Sequence, residues 1–288
     1  MRRMRSFGPG SIRTDAVRSG SVELSDGGRL AFDVAGDGPD VVLLHPGLWD
    51  RRTWDRQMTT FPAAGFRVTR YDARGYGAST RPDARPYSHV RDLEALMDAL
   101  DITSAALVGC SMGGGIEIDF VLEHPDRVWA LVPVAAGLGG FKPLEEEEDW
   151  WATATAPVEE ALGAGDLERA EDARLAIWAP LGSDDPAGAR IRELAFENIH
   201  ELTMDESAHE DLDPPAATRL GEIDVPTLVV EADHDPPFSR RESHLIATGI
   251  LDAQRVTIED ADHVVNLRQP ERFDEVVLAF LTAVRPQP

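Results

Sequence analysis

A serine between glycines, where a buried strand gives way to a helix, limits what this chain can fold into more than any other feature. Residues 109–113 read Gly-Cys-Ser-Met-Gly and follow the short apolar run 104–109. Ile116 and Phe120 then recur at helical spacing. A tight strand-to-helix turn exposes its central hydroxyl above the sheet, and its neighbours must have little or no side chain. The pattern therefore predicts an exposed serine, Ser111, at the edge of a sheet.

Apolar runs typical of strands alternate with amphipathic runs typical of helices over most of the chain. The first pattern is a β-hairpin over 20–36, with a turn at Asp26-Gly27-Gly28. Further strands are predicted at 41–45, 66–71, 104–109, 128–136, 225–232 and 254–258, and helices at 53–64, 88–100, 114–123, 240–247 and 270–284. Such alternation predicts an α/β fold with a mostly parallel sheet and helices on both faces.

The alternation is interrupted over residues 141–219, where strand signals vanish. Helices are predicted there at 144–162, 166–178 and 187–209, and the block holds Trp150, Trp151 and Trp178. We interpret it as a helical cap inserted into a core formed by 20–140 and 220–288, with 1–19 as a flexible N-terminal extension. The tryptophans have two interpretations: they pack the helices, or they line a substrate cavity under the cap.

Charge and composition exclude some classes of binding partner. The formal net charge is −24, which is the wrong sign for a nucleic-acid binder or for a protein that binds anionic membranes. No apolar run reaches transmembrane length, and the basic start lacks the apolar stretch of a secretory signal. Cys110 is the single cysteine, so an intrachain disulfide is excluded and a cytoplasmic location is the expectation. Oligomeric state stays open.

A serine hydroxyl needs a base, and the base needs an orienting carboxylate. Catalytic groups of this architecture lie at the carboxyl ends of strands. His263 follows the strand at 254–258 by a short turn, and Asp235 follows the strand at 225–232 within a loop long enough to reach His263. Asp233 is the alternative carboxylate, which we expect to serve the turn instead.

The other histidines have less specific roles. His45 also ends a strand, where we expect its imidazole to brace a neighbouring loop. His89 and His244 are predicted at surface helix positions, and His200 and His209 among solvated acids. Since no pair has the spacing of metal ligands, we predict no metal and no other cofactor.

An oxyanion formed on a substrate carbonyl requires backbone N–H donors. Met112 follows the serine at a helix N-terminus and supplies one donor. Pro46 has no N–H, so Gly47 is the first residue after His45 that can supply the second, with Leu48 as the alternative one position on. Leu48 is also a candidate substrate contact.

These motifs together resemble the α/β-hydrolase family, in particular its capped enol-lactonases and small esterases. The resemblance spans roughly residues 20–286 and rests on His45-Pro46-Gly47, residues 72–77, 109–114, Pro226 to Asp235, Asp262-His263 and 266–273. The chain departs from the family at Pro46 and Ala232, where glycine is usual. The order Ser111, Asp235, His263 is the order in which this fold carries its triad.

The resemblance implies a serine hydrolase of a small-molecule carboxylic ester or lactone. His263 would deprotonate Ser111, Asp235 would orient His263, and an acyl-enzyme would form and be hydrolysed. Related triads also cleave carbon–carbon bonds of diketone-like ring-cleavage products, which is the alternative activity. A third hypothesis is a binding protein that keeps the pocket without turnover. Cys110 is expected to pack in the core.

Overall fold

The computed structural model describes residues 17–286, whose centre is one eight-stranded sheet. The strands are β1 (Arg18–Glu23), β2 (Arg29–Ala35), β3 (Asp40–Leu44), β4 (Arg67–Tyr71), β5 (Ala105–Cys110), β6 (Val128–Val134), β7 (Leu228–Ala232) and β8 (Gln254–Ile258). Their spatial order is β1-β2-β4-β3-β5-β6-β7-β8. β2 runs antiparallel to β1 and β4, and the other neighbours pair in parallel. The predicted α/β fold with a mostly parallel sheet is confirmed.

The central strands are apolar throughout because both of their faces are covered. All six residues of β5 are buried, and its alternate side chains join two different hydrophobic clusters. Leu107 packs in the cluster with Leu44 on one face, and Val108 packs in the cluster with Leu43 on the other. The sheet is therefore enclosed between two helical layers, and its polar chemistry is confined to the strand ends.

Helices follow the strands at most of the predicted places. They are α1 (Gln57–Ala63), α2 (His89–Ala99), α3 (Met112–Glu123), α4 (Glu145–Gly163), α5 (Leu167–Trp178), α6 (Pro186–Glu197), α7 (Pro237–Gly249), α8 (Val265–Arg268) and α9 (Pro270–Val284). The bounds of α9 are those predicted. The chain between β6 and β7 contributes three α-helices and no strand to the sheet.

The third helix of this block is shorter than predicted. It ends at Glu197 rather than continuing to residue 209. Asn198 terminates it: the Asn198 side chain donates to the Leu194 carbonyl at 3.0 Å and to the Asp50 carboxylate at 2.9 Å. The chain then leaves the helix axis, and the Glu210 N–H donates to the Tyr87 carbonyl at 2.8 Å.

The helical block packs over the carboxyl ends of β3 and β4. The Trp49 indole N–H donates to the Ile191 carbonyl at 2.9 Å. The Gly77 N–H donates to the Asn198 side chain at 3.0 Å, and His200 Nε2 lies 2.9 Å from the Gly75 oxygen. This location covers the edge at which the sequence places Ser111.

The N-terminal part of the predicted extension lies outside the described residues, which begin at residue 17. Its last two residues, Arg18 and Ser19, belong to β1, where they pair with Val34 and Asp33 of β2. The first strand thus begins two residues before the predicted start of the core. Within residues 17–286, no helix combines the length and the hydropathy that crossing a bilayer requires.

Candidate active site

Ser111 occupies a strained turn between β5 and α3. Its backbone has φ 52° and ψ −113°, a region that residues with a side chain rarely adopt. The turn is possible because its neighbours are glycines. A Cβ on Gly109 would lie 2.3 Å from the Gly113 carbonyl oxygen, and a Cβ on Gly113 would lie 2.4 Å from the Leu44 oxygen. The close approach of these backbones is the reason for the Gly-x-Ser-x-Gly pattern.

His263 and Asp235 form a buried pair in which His263 Nδ1 lies 2.7 Å from Asp235 Oδ1. Their side chains are 3% and 1% exposed, so little water competes for the contact. Asp235 Oδ2 accepts a second hydrogen bond from the Ser239 hydroxyl at 3.0 Å. These bonds fix the orientation of the imidazole. His263 Nε2 is buried and has no hydrogen-bond partner among the described residues.

The loop that carries His263 lies against the residue before Ser111. The Cys110 thiol donates to the His263 carbonyl at 3.3 Å, although 153 positions separate the two residues. Cys110 is fully buried, and burial raises the pKa of its thiol well above the ordinary value, so the thiol stays protonated. The predicted core packing of Cys110 is confirmed.

Trp178, the last residue of α5, covers the other side of His263. The two ring centroids are 4.4 Å apart, and the His263 N–H lies 3.3 Å from the Trp178 carbonyl oxygen. The helical block therefore shields the imidazole from solvent.

Ser111 opens into a cavity of about 590 Å³, which we call the serine cleft. Gly47 and Met112, the two predicted oxyanion donors, line the same cleft. Met112 is the first residue of α3, where an N–H has no acceptor within the helix. The Tyr76 hydroxyl reaches the same corner, 3.7 Å from where a Cβ on Gly47 would stand. Leu48 instead packs with the cluster around Trp49 and Leu194, and it does not line this cleft.

Sequence reasoning missed most of the opposite wall of the serine cleft. That wall is formed by Tyr76, His89, Glu206, Ser207, His209 and Asp211. The prediction of His89 as a surface residue is wrong: it is 8% exposed, and its ring lies 4.8 Å from that of His209. Burial lowers the pKa of His89 to about 3, so the ring is neutral at physiological pH.

A second cavity of about 320 Å³, the aromatic cavity, is lined by Trp178, whose ring packs against that of His263. Two of the three predicted cap tryptophans, Trp151 and Trp178, line it together with Phe238 of α7. The rings of Trp151 and Trp178 stand at 84° and 86° to that of Phe238. Trp150 contacts Phe238 with 6.0 Å between ring centroids but does not line the cavity.

One wall residue of this cavity is a buried carboxyl group whose pKa is affected by the charges of Asp235 and His263. Glu242 of α7 lines the aromatic cavity and accepts a hydrogen bond from the Leu138 N–H at 3.0 Å. Burial raises the pKa of Glu242 to about 7, and the charge of Asp235 adds to this, while the Leu138 bond and His263 oppose it. The next residue before Leu138, Gly137, donates its N–H to the Ser111 carbonyl at 3.1 Å.

The alternative candidates have structural roles. The Ala73 N–H donates to His45 Nε2 at 2.9 Å, so His45 braces a loop as predicted. Asp233 accepts from the Asp260 and Ala261 N–H groups at 3.1 Å each and closes a turn. Asp233, His234 and Asp260 do bring potential ligand atoms within 4.8 Å of one another. Because the Asp233 carboxylate already binds backbone, this group is a weak candidate for a metal site.

Known proteins with similar sequences and structures share this architecture. The model of the alpha/beta hydrolase fold family matches residues 40–162. A 2-hydroxy-6-oxononadienedioate/2-hydroxy-6-oxononatrienedioate hydrolase of Paraburkholderia xenovorans is 28% identical over 290 residues, covering 94% of this chain and 98% of that protein.

Two solved structures are also similar. Est816, described as an N-acyl homoserine lactone degrading enzyme, is 29% identical with a TM-score of 0.69, covering 91% of this chain and 100% of its own. The enol-lactonase from Burkholderia xenovorans is 25% identical with a TM-score of 0.71. The match covers 92% of this chain and 100% of the enol-lactonase chain. The fold and these likenesses lead to the same conclusion: this chain is a hydrolase with the alpha/beta hydrolase fold, similar over most of its length to known enzymes of that fold.

Proposed function

We propose that the protein hydrolyses small carboxylic esters or lactones through an acyl-enzyme on Ser111. The observation that carries the proposal is the buried 2.7 Å contact between His263 Nδ1 and Asp235 Oδ1, which leaves His263 Nε2 without a partner among the described residues. A base oriented in this way has one nitrogen available for a serine proton. The strained turn of Ser111, its place in the lining of the serine cleft and the packing of Cys110 against His263 support the same assignment.

In the proposed reaction His263 Nε2 removes the Ser111 proton as Ser111 Oγ attacks the carbonyl carbon. The negative charge that develops on the carbonyl oxygen is stabilised by the Gly47 and Met112 N–H groups. His263, now cationic and stabilised by Asp235, returns the proton to the leaving oxygen as the carbon–oxygen bond breaks. Water, deprotonated by the same imidazole, then hydrolyses the acyl-enzyme and regenerates Ser111.

Ester or lactone hydrolysis is favoured because two similar proteins of known structure are described as lactone-degrading enzymes. Cleavage of a carbon–carbon bond is the second candidate, since a relative is named as a hydrolase of a dienedioate. The helical block over 141–219 would act in either case as a cap that closes the cleft. Its aromatic cavity would then hold one side group of the substrate.

Two experiments test the proposal. Labelling with a fluorophosphonate probe, followed by intact-mass and peptide analysis, is expected to give one adduct, on Ser111, and none in Ser111→Ala. An intact folded protein without an adduct would contradict the serine mechanism and favour a binding role.

A substrate panel separates the two reactions. It compares p-nitrophenyl esters, an enol-lactone and a diketone ring-cleavage product, with Ser111→Ala as the background control. Turnover of esters or lactones at a higher kcat/KM than the diketone is the expected result. The opposite order would assign the protein to carbon–carbon bond hydrolysis.

A further inference from the structure

The serine cleft has no fixed positive charge to receive an anion. Among the described residues that line it, none is Lys or Arg, whereas Glu206 and Asp211 place carboxylates at its mouth. Buried His89 is held neutral by a pKa of about 3. His209 Nδ1 lies 3.1 Å from Asp211 Oδ1, so the imidazole is already paired with a carboxylate.

The arginine whose charge acts on Tyr76 of the cleft wall, Arg174, is already paired. Arg174 of α5 contacts Glu171 at 2.7 Å and Glu201 at 2.5 Å, and its side chain is 13% exposed. With two carboxyl partners the guanidinium has no unpaired positive charge left. A substrate carboxylate would therefore gain little from Arg174.

The aromatic cavity has the same character. Its walls include the rings of Phe141, Trp151, Trp178 and Phe238, and its ionisable lining residues are Glu147, Glu148 and Glu242. The guanidinium of Arg241 lies 2.7 Å from Glu147 and is committed to that carboxylate. The faces of aromatic rings attract cations and repel anions.

We infer that the site selects uncharged or positively charged esters and lactones and rejects substrates that carry a carboxylate, an inference that rests on the proposed ester or lactone hydrolysis. A substrate carboxylate would lose its hydration in either cavity without gaining a cation, and Glu206 or Glu148 would repel it. The net charge of −24 also disfavours the approach of anions at low ionic strength.

This selectivity separates the chain from its dienedioate-hydrolysing relative. A dioate carries two carboxylates, and sites that bind carboxylates generally offer arginine in a bidentate geometry. Neither cavity presents such a group among the described residues that line it. The charge of the cavities therefore also weighs against the carbon–carbon cleavage of a dioate here.

The test compares substrates that differ only in charge. On the acyl side, the p-nitrophenyl monoester of glutarate is compared with its methyl ester. On the alcohol side, choline butyrate is compared with the ester of the carbon isostere of choline. We expect kcat/KM for the anionic glutarate to be at least about tenfold below that of its methyl ester. We expect kcat/KM for choline butyrate to equal or exceed that for its uncharged isostere. Any difference in kcat/KM within either pair of substrates should become smaller in molar sodium chloride.

Charge substitutions at the mouth of the cleft provide the second measurement. Glu206→Gln and Glu206→Lys should raise the ratio of anionic to neutral kcat/KM in that order, by a few-fold and then by about tenfold. Glu275→Gln and Glu275→Lys are matched controls, because Glu275 is an exposed carboxylate on α9 whose side chain is 69% exposed and pairs with Arg272. The controls should leave the ratio unchanged.

The outcomes separate the two levels of the proposal. Equal turnover of the glutarate monoester and its methyl ester, or a ratio that does not respond to Glu206, would overturn the charge selectivity while leaving ester hydrolysis intact. Absence of turnover for all four esters, together with absence of a fluorophosphonate adduct on Ser111, would overturn the proposed function itself. Preferential hydrolysis of the neutral and cationic members supports both.

Discussion

The thiol of Cys110 donates a hydrogen bond to the main-chain carbonyl of His263 across 3.3 Å. This contact sets the loop after β8 against the end of β5, although Ser111 and His263 Nε2 are not hydrogen-bonded to each other in this structure. Because Cys110 is buried and its thiol stays protonated, the contact is structural. The adjacent hydroxyl of Ser111 is the group at this turn that is open to a substrate.

Replacing Ser111 by Ala is expected to lower kcat by about 10⁴ or more, since the proposed covalent step is lost. Steady-state kinetics with a p-nitrophenyl ester measures the effect, and thermal unfolding checks that the fold survives. Cys110→Ala serves as the neighbouring control and should still react with a fluorophosphonate. Near-normal activity of Ser111→Ala would remove this serine from the mechanism.

Asp235→Asn is expected to lower kcat by about 10⁴, because an amide at this position favours the wrong imidazole tautomer. Asp233→Asn is the matched control, two positions away and outside the contact with His263. It weakens two hydrogen bonds of a turn, so its expected effect is a loss of roughly 1–2 kcal/mol in unfolding free energy with much smaller effects on kcat. Equal losses of kcat in the two variants would contradict the assignment of the carboxylate.

Trp178→Ala is expected to reduce kcat/KM for bulky aryl esters at least about tenfold and to affect small acetate esters less. The ring of Trp178 both lines the aromatic cavity and lies 4.4 Å from the ring of His263. Trp150→Ala removes an indole behind Phe238 that does not line the cavity, and its effect should be smaller. A uniform loss across all esters in Trp178→Ala would point instead to misplacement of His263.

The stability of the protein should depend on the charge of Glu242. Burial raises the pKa of this carboxyl from its ordinary value of 4.5 to about 7, so the folded state binds the proton more tightly than the unfolded state does. Ionising the buried Glu242 carboxyl group destabilises the folded state. This cost is absent below about pH 4.5 and grows until about pH 7, so the free energy of unfolding falls as pH rises through that window. The full effect is on the order of 3 kcal/mol.

Glu242→Gln keeps an oxygen that accepts from Leu138 but removes the titration. The unfolding free energy of the variant, measured by urea titration at several pH values, should rise relative to that of the native protein between about pH 4.5 and 7. A difference between the two proteins that stays constant over this range would refute a titration of Glu242 there.

The sequence predicted the turn around Ser111, strand β5 and the Asp235–His263 pair, because local residue patterns determine their geometry. Glycine is required at positions 109 and 113 because a Cβ there would lie 2.3 Å and 2.4 Å from a backbone oxygen, and the apolar run of β5 follows from burial on both faces. The Asp235–His263 pair was predictable because both residues follow parallel strands, whose carboxyl ends share one edge.

The wall of the serine cleft was not predictable in the same way. Residues 204–211 are mostly polar and show no strand periodicity, yet Tyr87 pairs with His209 through main-chain hydrogen bonds. Main-chain pairing between distant segments depends on no particular side chain, so the sequence pattern does not reveal it. His89 was misjudged for a related reason: its helical position alone does not reveal that His209 packs against it.

The main-chain bridge at Tyr87 holds the serine cleft through contacts that the aromatic cavity does not share. The Tyr87 N–H donates to Ala208 at 3.1 Å, and the Glu210 N–H donates back to Tyr87 at 2.8 Å, which ties the rim of the serine cleft to the segment before α2. The aromatic cavity, by contrast, is built largely from α4, α5 and α7. Exchanging α4 for that of a relative would reshape the aromatic cavity and leave the bridge at Tyr87 in place. In this architecture the aromatic cavity can therefore change during evolution, and the substrate range with it, without a change in the rim of the serine cleft.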